Sequence, residues 1–99
     1  MADLLIKHTV QDFEAWKPVF DEHASTRMEY GSKGYRLFTV AGGPNEVVIL
    51  FEWDTAENAR SFLEESDIRE AMDEAGVVGE PDIHLLEEVE AESSEPSKE

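Results

Sequence analysis

The run Glu46 to Trp53 reads Glu-Val-Val-Ile-Leu-Phe-Glu-Trp and is the most hydrophobic stretch of the chain. Its β-branched and aromatic residues predict a strand, and apolar side chains in both alternating sets predict that the strand is covered on both faces. In 99 residues there is room for one sheet and one modest core around such a central strand. A second strand, Tyr35 to Val40, precedes it across Ala41-Gly42-Gly43-Pro44-Asn45, a turn composition. Pairing Val40 with Glu46 places Arg36, Phe38, Val48, Leu50 and Glu52 on one face. Tyr35, Leu37, Thr39, Val47, Ile49, Phe51 and Trp53 then share the other.

The remaining segments supply two more strands and two helical regions. Leu4 to Val10 alternates as a strand and ends at Gln11-Asp12, with Asp12 placed to cap a helix. Phe13, Trp16, Val19, Phe20 and Ala24 form the apolar stripe of that helix, which reaches about Tyr30. Pro18 lacks an N–H, so it either begins the main helix after a separate turn, the preferred reading, or kinks a continuous one. Gly31 and Gly34 end this region. Thr55 caps a helix with the stripe Ala56, Ala59, Phe62 and Leu63. Asp67 with Glu70 suggests a capping-box restart for Ile68 to Ala75, and Gly76 closes it. After Val77 to Pro81, the alternation Ile83, Leu85, Val89 marks a fourth strand. The expected fold is α+β, ferredoxin-like β-α-β-β-α-β with an antiparallel four-stranded sheet, over a domain of residues 1–90. Residues 91–99, rich in Glu, Ser and Pro, have nothing to bury and are expected to form a disordered acidic tail.

Two helices cover only one face of such a sheet, yet both faces of the middle hairpin carry large apolar side chains. Two sheets meeting face to face in a homodimer would bury Phe38, Val48 and Leu50. The charged Arg36 and Glu52 share that face, which is placed inside the dimer because helix-packed cores rarely accept charge.

Charge limits the other partners. The chain has 24 Asp and Glu against 8 Lys and Arg, a formal charge of −16. Residues 87–99 hold six acids and one Lys, so the domain itself remains strongly acidic. Such a field repels nucleic acid and anionic membrane surfaces, and neither is expected as a partner. With no cysteine there is no disulfide framework or thiolate chemistry. The three His residues show no metal-ligand spacing, so no metal is expected. The N-terminus does not read as a targeting segment and no run is long enough to span a membrane, so the expected location is the cytoplasm.

The segments Val10-Gln11-Asp12-Phe13 with Trp16-Lys17, Gly34-Tyr35-Arg36, Pro44-Asn45-Glu46-Val47-Val48 through Phe51-Glu52-Trp53-Asp54, and Ser66-Asp67 leading to Ala71-Met72 resemble the dimeric α+β barrel superfamily. The resemblance covers residues 4–90 and points to an uncharacterised branch with antibiotic biosynthesis monooxygenase-like domains. It implies two sheets closing around a cavity that binds flat, hydrophobic organic ligands, some of which are oxidised without a cofactor, and on that resemblance no cofactor is expected. Heme-degrading relatives use an Asn on the first strand and a Trp and a His in the second helical region. The matching positions here lie near Ile6, Phe62 and Asp73, which argues against heme degradation.

Three ionisable residues stand out as catalytic candidates. His8 on a central strand suits proton transfer if it points into the cavity between the sheets; on the opposite parity it is a hydrogen-bonded histidine of the helix-facing core and Lys7 faces that cavity. Arg36 suits a carboxylate or phenolate oxygen, and Glu52 suits a base or an ion-pair partner for Arg36. Tyr35, Phe38, Leu50 and Trp53 are candidate substrate-binding residues, Tyr35 and Trp53 as an aromatic wall. The expected function is a cofactor-independent monooxygenase or cyclase acting on a small aromatic or quinone-like molecule. The alternative is a non-catalytic ligand-binding or stress-related dimeric barrel.

An acid excess distributed over the domain also fits adaptation to high salt, where counterions screen carboxylate repulsion. Melting temperature is expected to rise with KCl up to molar concentrations; a flat or falling curve would refute this.

Overall fold

The computed structural model describes residues 2–90. Its elements are β1 (Ala2–Val10), α1 (Phe13–Glu22), α2 (Ala24–Glu29), β2 (Ser32–Val40), β3 (Gly43–Trp53), α3 (Ala56–Glu65), α4 (Ile68–Ala75) and β4 (Val77–Glu87). The four strands form one antiparallel sheet in the order β2-β3-β1-β4, so β1 and β3 are the inner pair. This is the expected ferredoxin-like α+β arrangement with each helical region divided in two. The acidic tail expected from residue 91 lies outside the described residues.

Register fixes which side chains face the helices. Leu4 pairs with Phe51, Ile6 with Ile49 and His8 with Val47, and all six are buried. The core continues through Trp53, Trp16, Phe20, Ala59 and Phe62. Across the hairpin, Phe38 pairs with Val48 and Arg36 with Leu50, which gives the two faces expected from the alternation. The turn is tighter than expected: Val40 pairs with Gly43, so β3 begins at Gly43 and Ala41-Gly42 alone make the turn. Strand β4 begins earlier than expected, at Val77, and its pairing to β1 shifts between Lys7 and Thr9, where Gly79 has φ +73°. Val89 lies beyond the strand and is 95% exposed.

Three local expectations at the helices change. Helix α1 is continuous from Phe13 with Pro18 inside it, instead of starting at Pro18. Asp12 is the reason: its side chain accepts the Glu14 N–H at 3.3 Å and starts the helix one turn before the proline. Pro18 and Glu14 are exposed, so the carbonyl that loses its helical donor can be met by water. The interruption falls instead at His23, whose N–H is shared among the carbonyls of Val19, Phe20 and Asp21. Asp67 occupies the N-cap position of α4 but makes no capping bond, and the Ser66 hydroxyl accepts the Ile68 N–H at 3.2 Å in its place.

The ends of the elements are tied to one another. Trp53 Nε1 donates to the Tyr30 carbonyl at 2.8 Å, and Asp54 N–H to the Gly31 carbonyl at 3.1 Å, which pins the end of α2 to the end of β3. Gly31 has φ +110°, and an added Cβ would run into the Asp54 carboxylate, so only glycine fits this junction. Asn45 Oδ1 accepts the Phe13 N–H at 3.0 Å, and Gln11 N–H donates to the Gly76 carbonyl at 2.9 Å. Among the described residues, no helix is long and apolar enough to cross a membrane.

Candidate functional site

Between the sheet and its helices the packing leaves a cavity of about 40 Å³. Ile6, His8, Ile49 and Phe51 form its floor, Trp16, Phe20, His23 and Arg27 one wall, and Phe62, Ile68 and Met72 much of the other. At this size it holds one or two water molecules and falls well short of the roughly 150 Å³ that accepts a benzene ring.

His8 enters this space because β1 turns its even-numbered side chains toward the helices. It is 6% exposed, and among the described residues neither ring nitrogen has a hydrogen-bond partner. Its ring meets the edge of Trp16 at 5.6 Å, an apolar contact that offers no acceptor. Burial therefore lowers its pKa from the ordinary 6.5 to about 4, and the imidazole is neutral at physiological pH. Two unpaired nitrogens beside a cavity are unusual, since a buried polar group without a partner costs about 1–3 kcal/mol.

Arg27, which no sequence motif singles out, forms the second polar feature. It is 4% exposed, and Nη1 donates to the Phe20 carbonyl at 2.9 Å. Its guanidinium lies over the Phe20 ring at 4.0 Å, with the Tyr35 and Phe51 rings at 5.5 and 5.6 Å. Among the described residues Lys17 and Asp21 form an ion pair and His23 hydrogen-bonds Asp67, each at 2.8 Å, and no carboxylate lies within 4 Å of Arg27. His23 thus ties the α1–α2 break to the start of α4 beside the cavity, and its hydrogen bond holds the Asp67 carboxyl below the usual range. A signal for Arg27 is present in the sequence all the same: the stripe Phe13, Trp16, Phe20 continues at helical spacing to His23 and Arg27.

The expected site residues separate into two groups. His8 takes the helix-facing parity, that of a core histidine and not of a residue facing a space between two sheets; it lines the helix-side cavity and, among the described residues, lacks the hydrogen bond expected of a core histidine. Tyr35 and Trp53 share its side of the sheet but stand behind the lining, Tyr35 edge-on to Phe20 at 5.0 Å and Trp53 against Phe62 at 4.9 Å. Arg36, Glu52, Phe38 and Leu50 lie on the opposite face, so the sheet separates them from His8. Arg36 and Glu52 form no ion pair; Arg36 pairs in register with Leu50 and lies 5.2 Å over the Phe38 ring, while Glu52 sits opposite Gly34. Lys7 is exposed on that same face. No group of three or more metal-ligating side chains gathers among the described residues.

No family model matches the chain, and no curated protein matches it. Solved structures do. SnoaB, a cofactor-independent oxygenase of Streptomyces nogalater in a single-residue variant form, superimposes with a TM-score of 0.74 at 15% identity. That match covers 91% of this chain and 94% of SnoaB. A candidate antibiotic biosynthesis monooxygenase from Bordetella bronchiseptica gives 0.73 at 17% identity, covering 89% and 96% of the two chains. A protein from Methanosarcina mazei gives 0.69 at 12%, covering 86% and 89%. The chain has the fold of the antibiotic biosynthesis monooxygenase structures.

The neutral, buried His8 makes stability depend on pH in a defined direction. The unfolded chain binds a proton near pH 6.5 and the folded chain only near 4, so stability is intact above 6.5 and is lost as pH falls toward 4. Between about pH 7.5 and 4.5 the protein should lose roughly 2–3 kcal/mol more than a His8→Phe variant in urea unfolding. Equal losses would show that His8 titrates normally.

Proposed function

We propose that the protein is a small-molecule enzyme that binds a planar aromatic or quinone-like substrate between sheet and helices and oxidises it without a cofactor. The observation that carries this is His8, an unprotonated imidazole with both nitrogens free on the wall of a cavity. It is suited to accept a proton from a phenol or an activated CH₂ group of the ligand. The resulting anion is electron-rich enough to react with O₂ directly. For an anthrone, CH₂ becomes C=O, one oxygen atom enters the product and the other leaves as water. The imidazolium formed at His8 stays beside the anion it created, which offsets the low basicity that burial imposes. The oxygenase fold neighbour SnoaB supports the reaction class by analogy of fold, a weaker support than the site.

An aromatic ring does not fit a cavity of this size, so this reading requires α4 to move away from α1. The bridge from His23 to Asp67 is the polar contact such a movement breaks. On the opposite face, Phe38 is 42% exposed beside half-buried Val48, Leu50 and Leu5. We assign that face to a second copy of the chain, where each apolar side chain fully buried contributes roughly 1.5–3 kcal/mol. Arg36 and Glu52 belong to that contact on this reading, and the expected cytoplasmic location is part of the same proposal.

The purified protein, with no added metal or flavin, is expected to consume O₂ with anthrones or quinols. His8→Phe should lower the rate by about 10²-fold or more, and Arg36→Ala should leave it largely unchanged. Tight binding without turnover would identify a non-catalytic binding protein instead. Size exclusion in molar KCl should give a dimer; a stable monomer would remove the assignment of the open face.

A further inference from the structure

The cavity wall holds a positive charge that no carboxylate among the described residues meets at ion-pair distance. We propose that the cavity binds its ligand as an oxyanion, a phenolate, enolate or carboxylate on a planar aromatic frame, with the Arg27 guanidinium holding the charge. The proposal rests on the cavity being the ligand site and adds the chemical class of what enters it.

Four observations converge on Arg27. The side chain is 4% exposed, so nearly all of it lies out of bulk water. Of its five N–H donors, one hydrogen bond is made among the described residues, to the Phe20 carbonyl. The acid whose charge reaches Arg27, Asp21, receives Lys17 Nζ through both oxygens, at 2.8 and 2.9 Å. Finally, the π contact with Phe20 occupies one face of the guanidinium, while its edge, where the N–H groups point, is left for an acceptor. Among the described residues the two buried polar atoms without any partner are the His8 nitrogens, so the unused Arg27 N–H groups keep some access to water.

The arrangement also indicates how a ligand would lie. Trp16 stacks on Phe20 with centroids 4.8 Å apart and planes at 21°, His8 meets the Trp16 end of this stack, and Arg27 covers the Phe20 end. A flat ring set along the stack brings its polar substituents to a neutral imidazole at one end and a cation at the other. In a chain of formal charge −16, an anion is repelled from the surface at large. A preference for an anion over its neutral analogue must therefore come from a local, buried cation.

Matched probes test this with the full chain in moderate salt. Benzoate is expected to bind about tenfold or more tightly than benzamide, and bound 4-nitrophenol, followed by its phenolate absorbance, should ionise about one pH unit or more below the free compound. Arg27→Met should erase both effects while keeping benzamide affinity within about twofold, and Arg27→Lys should keep part of each. Equal binding of benzoate and benzamide by the wild type with no shift for 4-nitrophenol would overturn the proposal and leave the cavity standing as a ligand site. Failure of every probe to bind would overturn both. Should Arg27→Met not fold, the wild-type comparison still decides.

Discussion

Pairing between β1 and β3 determines almost everything else about this chain. With Ile6 opposite Ile49, the even residues of β1 and the odd residues of β3 turn to the same side and create a surface that only a helical layer can cover. A slip of one residue would carry His8 to the open face and bring Lys7 under the helices, along with every other inversion that the twofold period of a strand enforces. The apolar residues forbid that slip, so the polar ones inherit their positions. The location of the candidate proton acceptor is thus a by-product of packing Leu4, Ile6, Phe51 and Trp53.

The helical layer completes the site through its irregularities more than through its regular turns. The stripe of α1 runs on through the break at His23 to Arg27 on α2, whose far end is pinned to β3 through Tyr30 and Gly31. That pin holds Arg27 against Phe20. The result is a core with two unusual members, one imidazole without partners and one guanidinium without a carboxylate among the described residues, at opposite ends of a single aromatic stack. Cores optimised for stability alone exclude both.

Sequence patterns reveal those parts of the fold that depend on local chemistry. The caps at Asp12 and Thr55, the left-handed glycine after α4 and the two faces of the hairpin come from residue type and alternation, and the structure has each of them. The parity of β1 is not legible in the same way, because His8 and Lys7 both sit among β-branched neighbours and only the partner strand distinguishes them. Arg27 is obscured by its surroundings: Ser25, Met28 and Glu29 beside it are not buried, Met28 being 70% exposed, and an arginine in a helix ordinarily reads as solvated. Asp67 misleads for a related reason. An aspartate at an N-cap position predicts a local bond, whereas its side chain is taken by a histidine 44 residues away in sequence.

The irregular stretch of β4 has a consequence for how molecules of this protein can meet. An edge strand invites another chain to extend the sheet, provided it offers an unbroken row of N–H and C=O groups. On β4 that row is interrupted where the pairing to β1 shifts: Gly79 turns the backbone, Pro81 has no N–H to give, and Glu80 and Asp82 set negative charge beside it. Growth of the sheet sideways is therefore disfavoured along this stretch of the border. Crowding of the protein along this border does not favour an open-ended ribbon.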